Sequence, residues 1–124
     1  MHSAAKAYGA VSQAGLPPRE LEAHVLLKAA TRIQQVLDDW DVRKAEFEPV
    51  LLNNRKLWTV LVSSVTDESN PLPRAIKQNV ANLAIFIFKR TLELTQEPDP
   101  RRADVLVQIN RNIAEGLRAR AEAA

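Results

Sequence analysis

The stretch FEPVLLNNRKLWTVLVSSV, residues 47 to 65, decides the fold. Laid out at 100° per residue, Phe47, Val50, Leu51, Leu57, Trp58, Leu61, Val62 and Val65 gather in an arc of about 140°, the pattern of a helix with one buried face. Arg55, Lys56, Thr59 and Ser63 fall outside the arc. Trp58 therefore points inward, and its aliphatic neighbours make it a core anchor rather than a ring for stacking a ligand. Asn54 falls at the centre of the apolar arc. A buried amide without partners costs about 1–3 kcal/mol, so Asn54 is expected to bond a backbone carbonyl or a side chain on a neighbouring helix and to fix their register. Pro49 cannot sit mid-helix without loss of a hydrogen bond, so the helix either begins near Phe47 or kinks at the proline.

The flanking sequence is punctuated in the same helical way. Pro18 suits a first turn, Glu20 and Glu22 complement the positive end of the helix dipole, and a long helix is expected over 18–40. On it Leu26, Ala29, Ile33, Val36, Leu37 and Trp40 share one side. TDESNPLP (66–73) is a turn by composition, followed by a helix over 73–96. EPDPRR is the next break, and a last helix over 101–120 carries Leu106, Ile109, Ile113 and Leu117 as its buried stripe. A weaker helix is expected over 3–14. No segment alternates with period two, which leaves an all-α antiparallel bundle of four long helices plus the short N-terminal one, as a single domain over 1–124.

The helix over 73–96 is anomalous because its apolar residues do not keep to one side. Leu72, Ile76, Val80, Leu83, Ile87 and Leu94 form one stripe; Ala81, Ile85, Phe88 and Leu92 form a second, about 180° away. A helix apolar on two sides needs two partners. Either the rest of the chain covers both, or the second stripe stays open as a groove for another protein's amphipathic helix or as a homodimer face.

Composition excludes several classes of function. With 46% hydrophobic and 26% charged residues over 124 positions, the chain is neither a disordered tail nor a membrane protein. Its longest apolar run, LAIFIF (83–88), is too short to cross a bilayer, and MHSAAKAYGA lacks the apolar core of a secretory signal, so a cytoplasmic location is expected. Absence of cysteine removes disulfides, thiolate metal sites and a thiol nucleophile. Seventeen Lys and Arg against fifteen Asp and Glu leave a net charge of only +2, a poor footprint for nucleic acid. The one lopsided segment is 71–96, where Arg74, Lys77, Lys89 and Arg90 face Glu93 alone; these four are the candidates for phosphate contacts with RNA, and a solvated helix surface is the plainer reading.

Catalysis has little to work with. His24 has no second histidine or cysteine at ligand spacing, and Asp38 and Asp39, being adjacent, diverge around a helix. There is no glycine-rich phosphate loop and no nucleophile motif. Neither an enzyme activity nor a metal or cofactor is expected.

Three segments taken in order go further. PRELEAHVLLKAATRIQ (18–34), NRKLWTVL (54–61) and INRNIAEGL (109–117) resemble the FlaF family of alphaproteobacterial flagellar biosynthesis regulators, over a span from about Tyr8 to Leu117. The most specific part is Asn54, Arg55, Lys56, Leu57 and Trp58. The resemblance implies a small helical protein needed for flagellin synthesis or secretion that acts by binding, with flagellin and a second flagellar regulatory protein as partners. It brings no catalytic residues, and by the helical argument Asn54, Leu57 and Trp58 are fold determinants. Two functions then compete. In one, the stripe of Ala81, Ile85, Phe88 and Leu92 holds flagellin in the manner of an export chaperone. In the other, the chain regulates flagellin expression through messenger RNA or another regulatory protein.

Overall fold

The structure, a computed structural model, describes residues 18–123; the helix expected over 3–14 lies outside the described residues. Four long helices are present: α1 (Pro18–Asp38), α3 (Phe47–Thr66), α4 (Arg74–Gln96) and α5 (Pro100–Ala123). A four-residue helix, α2 (Trp40–Arg43), and a 3-10 turn (Lys44–Glu46) join α1 to α3. There are no strands among the described residues, and the architecture is the all-α bundle expected.

Local chemistry sets the boundaries. Pro18 and Pro100 occupy first helical positions, where the missing N–H would have had no helical acceptor. Asp99 caps α5 through its Oδ1, which accepts the Arg101 N–H at 3.0 Å. Of the two expectations for Pro49, the structure shows the first: α3 begins at Phe47, so the proline sits in the opening turn and no ladder bond is lost. The first long helix stops at Asp38, two residues before its expected end. Trp40 instead opens α2 and packs edge-on against Phe47, ring centroids 4.9 Å apart at 88°.

α1 packs most closely along α5 and also touches α3, while α4 lies chiefly on α3 and only lightly on α5. One continuous core joins them, built on Leu26 and Ile33 of α1, Trp58 and Leu61 of α3, Ile87 and Leu94 of α4, and Leu106 and Val107 of α5. Two expected stripes need correction. On α5 the buried line runs through Ala103, Leu106, Val107, Asn110, Ala114 and Leu117, and Ile109 and Ile113 are half-buried beside it, because α1 presses on the face that carries the small residues. On α4 the buried line is Val80, Ala84, Ile87, Thr91 and Leu94, with Ile76 and Leu83 only half-buried. The exposed stripe is then about 110° round the helix from the buried one, not 180°, by the same 100° construction.

The turn between α3 and α4 is tied down by side chains. Asp67 Oδ1 accepts from the Ser69 backbone N–H (2.8 Å) and from its hydroxyl (2.6 Å), and these two bonds hold the carboxyl below its usual range. Asn70 donates to the Ser64 carbonyl and accepts from the Leu72 N–H, each at 3.0 Å. Arg19, at the start of α1, donates to Asn70 Oδ1 at 3.0 Å and pairs with Glu22, which is only 3% exposed. The first turn of α1 is thereby clasped to the opposite end of the chain's central hairpin.

Candidate functional site

The motif residues meet in the core. Trp58 donates its Nε1–H to Asn110 Oδ1 at 2.8 Å, and Asn110 Nδ2 donates both to Asn54 Oδ1 (2.8 Å) and to the Leu26 carbonyl (3.1 Å). Three helices, α1, α3 and α5, are joined through one buried amide. Asn54, Trp58 and Asn110 are all fully buried, so this cluster fixes helix register and offers nothing to a ligand. Asn54 thus has the neighbouring-helix partner expected of it, although its Nδ2 has none among the described residues. Leu57 is buried beside the cluster, and Arg55 and Lys56 face solvent.

Asn110 is the residue sequence reasoning missed. It sits at the centre of the α5 stripe as Asn54 sits at the centre of the α3 arc, and reading that stripe through 103, 106, 110, 114 and 117 would have found it. Glu22 and Thr91 were also unforeseen as buried polar residues. Glu22 is answered by Arg19; the Thr91 hydroxyl has no partner among the described residues.

The surface is informative on α4. Ile85 is 67% exposed and Leu92 54%, while Ala81 and Phe88, on the same line, are half-buried and Phe88 rests partly on the core. The 4-3-4 spacing of these four residues is that of a helix–helix seam. Ile85 and Leu92, large side chains more than half exposed and two turns apart, have each forfeited about 1 kcal/mol or more of available burial.

The four cations considered for RNA are not gathered. Arg74 and Lys77 lie at the start of α4, and Lys89 and Arg90 come about 20 Å further along at 1.5 Å per residue. Lys77 Nζ donates to the Asp67 carbonyl at 2.8 Å. Arg90 is engaged threefold: with Glu93 at 3.3 Å, with the Arg102 carbonyl at 2.9 Å, and over the Phe86 ring at 4.9 Å. Arg74 and Lys89 remain exposed.

Among the described residues, the candidates for chemistry beyond binding stand apart. His24 is exposed on α1, Asp38 accepts from Gln34 at 2.8 Å, and Asp39 faces Arg43 at 3.8 Å. Among the described residues no three His, Cys, Asp or Glu side chains converge as a metal site, and no helix is long and apolar enough to cross a membrane.

The sequence pattern of the family described as flagellar protein FlaF matches residues 4–117. The chain belongs to the FlaF family. That match covers most of the chain and takes in the hub residues Asn54, Trp58 and Asn110 together with the α4 stripe. No curated protein and no solved structure gives a significant match. For this FlaF-family chain, a flagellar role is therefore established at the level of the family; among the described residues the large exposed hydrophobics are Val42, alone on α2, and Ile85 and Leu92, together on the α4 stripe.

Proposed function

We propose that this chain acts in flagellum assembly as a non-catalytic cytoplasmic binding protein that holds a helical segment of flagellin along α4, keeping it covered until secretion. The observation that carries this reading is the exposure of Ile85 and Leu92 on a seam of helix–helix spacing. Two large apolar side chains left exposed in helix–helix register are what a docked helix would cover. The alternative, regulation of flagellin expression through messenger RNA, has less support: two of its four cations are committed inside the fold, and the seam holds one aromatic among aliphatics rather than a stacking platform. Regulation through a second flagellar regulatory protein would use the same seam.

The test is capture of flagellin by the purified chain and by two variants, Ile85→Glu and Leu92→Glu. Both positions are exposed, so the variants should fold as wild type does by circular dichroism. Losing an apolar anchor at the centre of an interface is expected to weaken capture about tenfold or more. Two folded variants that capture flagellin as wild type does would refute the assignment.

A further inference from the structure

The seam is compatible with any amphipathic helix, and what borders it narrows the choice. Ala81, Ile85, Phe88 and Leu92 extend over about 17 Å of α4 at 1.5 Å per residue. Placed at 100° per residue, Lys89 lies on one shoulder of the line, Lys77 on the other, and Arg74 continues it toward the start of the helix. The remaining shoulder positions are amides and a threonine. No carboxylate of α4 borders the seam. The one acid of α4, Glu93, lies well round the helix and is held by Arg90 (3.3 Å) and Arg102 (3.0 Å). Arg74 and Lys89 make no ion pair among the described residues.

We infer that the seam selects an amphipathic helix whose apolar edge is bordered by Asp or Glu, with Arg74 and Lys89 as the residues that select it. The inference rests on the reading of α4 as the docking face, and it names the chemistry of the docked helix. Two other occupants fail on the same charges. A second copy paired α4 to α4 would bring these cations together with no α4 carboxylate on either seam to answer them. The chain's own first seventeen residues, MHSAAKAYGAVSQAGLP, contain no Asp or Glu and cannot answer the cations either. Like charges along a seam act as rejection as much as opposite charges act as attraction, so the cations exclude basic-bordered helices as well as favouring acidic ones.

The experiment uses the full chain and two synthetic three-heptad helices that share one Leu, Ile and Ala seam, one bordered by Glu and the other by Lys. Binding is read by fluorescence anisotropy of the labelled peptide. The Glu-bordered helix should bind about tenfold tighter at low salt, from a few exposed ion pairs acting together, and the advantage should shrink at about 0.5 M salt. Arg74→Glu with Lys89→Glu should invert the preference, and Ile85→Glu should abolish binding of both peptides. The inference is overturned if the Lys-bordered helix binds equally well, if neither helix binds, if the double charge reversal leaves the preference unchanged, or if the wild-type chain is a dimer by light scattering that Ile85→Glu dissolves. Flagellin capture separates the two levels. Capture that persists without any charge preference keeps the proposed function and discards this inference; a charge preference without flagellin capture does the reverse.

Discussion

Replacing Asn110 by leucine tests the polar hub at its centre, because leucine keeps the branched shape and the number of heavy atoms and deletes every hydrogen bond. Asn110 is the shared partner of Trp58 Nε1–H (2.8 Å) and Asn54 Oδ1 (2.8 Å), and both sites are fully buried. The Leu26 carbonyl lies mid-helix and keeps its acceptor role within α1, so it contributes little to the loss. Two groups are therefore stranded, at about 1–3 kcal/mol each. Subtracting about 1 kcal/mol for the added apolar burial leaves a net destabilisation of about 3 kcal/mol. Against a total stability on the order of 5–15 kcal/mol, that loss should be plain in urea unfolding followed by circular dichroism, as a lower midpoint with an unchanged slope. The thermal midpoint should fall by roughly 10–20 °C. Asn54→Leu should cost much less, since Asn110 keeps Trp58 and Leu26 as partners and the unpartnered Asn54 Nδ2 disappears. Combining Asn54→Leu with Asn110→Leu should be less damaging than the sum, because the first change removes one of the groups stranded by the second. An Asn110→Leu chain within about 1 kcal/mol of wild type, or strictly additive changes, would show that these bonds do not hold the three helices in register.

Other perturbations follow from the same geometry. Arg19→Ala strands the buried Glu22 carboxylate and releases the α3–α4 turn, and should cost about 1–3 kcal/mol in urea unfolding, part of it recovered by Glu22→Gln. The Asp67 carboxyl should titrate below its ordinary value of 3.8 when followed by NMR, chiefly because the Ser69 side chain and then its backbone N–H bond the ionised form; Ser69→Ala should move it back upward. With the folded value depressed, the stabilisation from this turn is complete above pH 3.8 and fades as pH falls through the folded value. Gly116 lies within α5 with nothing within 4 Å of where a Cβ would stand, so Gly116→Ala should stabilise the chain by about 0.5–1 kcal/mol and raise the thermal midpoint by a few degrees.

The helices were legible because their punctuation is strong: prolines at 18 and 100 and the polar turn at 67–73 mark ends, and apolar spacing fills the intervals. Asn54 was legible as a buried amide because one polar residue stood alone in a wide apolar arc. Its partner was not, because periodicity orders residues around a single helix and says nothing about which residue of another helix stands opposite. The shift of the α4 buried line from Leu83 to Ala84 and Thr91 has the same origin: small residues are chosen by the neighbour's proximity, which hydropathy does not register. Of the candidate surface, the exposure of Ile85 and Leu92 agrees with an uncovered stripe, while the half-burial of Phe88 depends on how α4 leans into the bundle. The Arg19–Glu22 clasp was invisible because Asn70, its third member, is 51 residues away in the chain.

Neither tryptophan stands on the α4 seam: Trp58 is buried in the shared amide cluster, and Trp40 is edge-on to Phe47 at the α1–α3 corner. Intrinsic emission is thereby a built-in monitor of the interior and is blind to the outer seam. A helix settling on Ile85 and Leu92 should raise the particle's mass while the spectrum holds still, whereas loosening of the bundle should redden it at once. Occupancy and integrity can be followed in the same cuvette as separate signals.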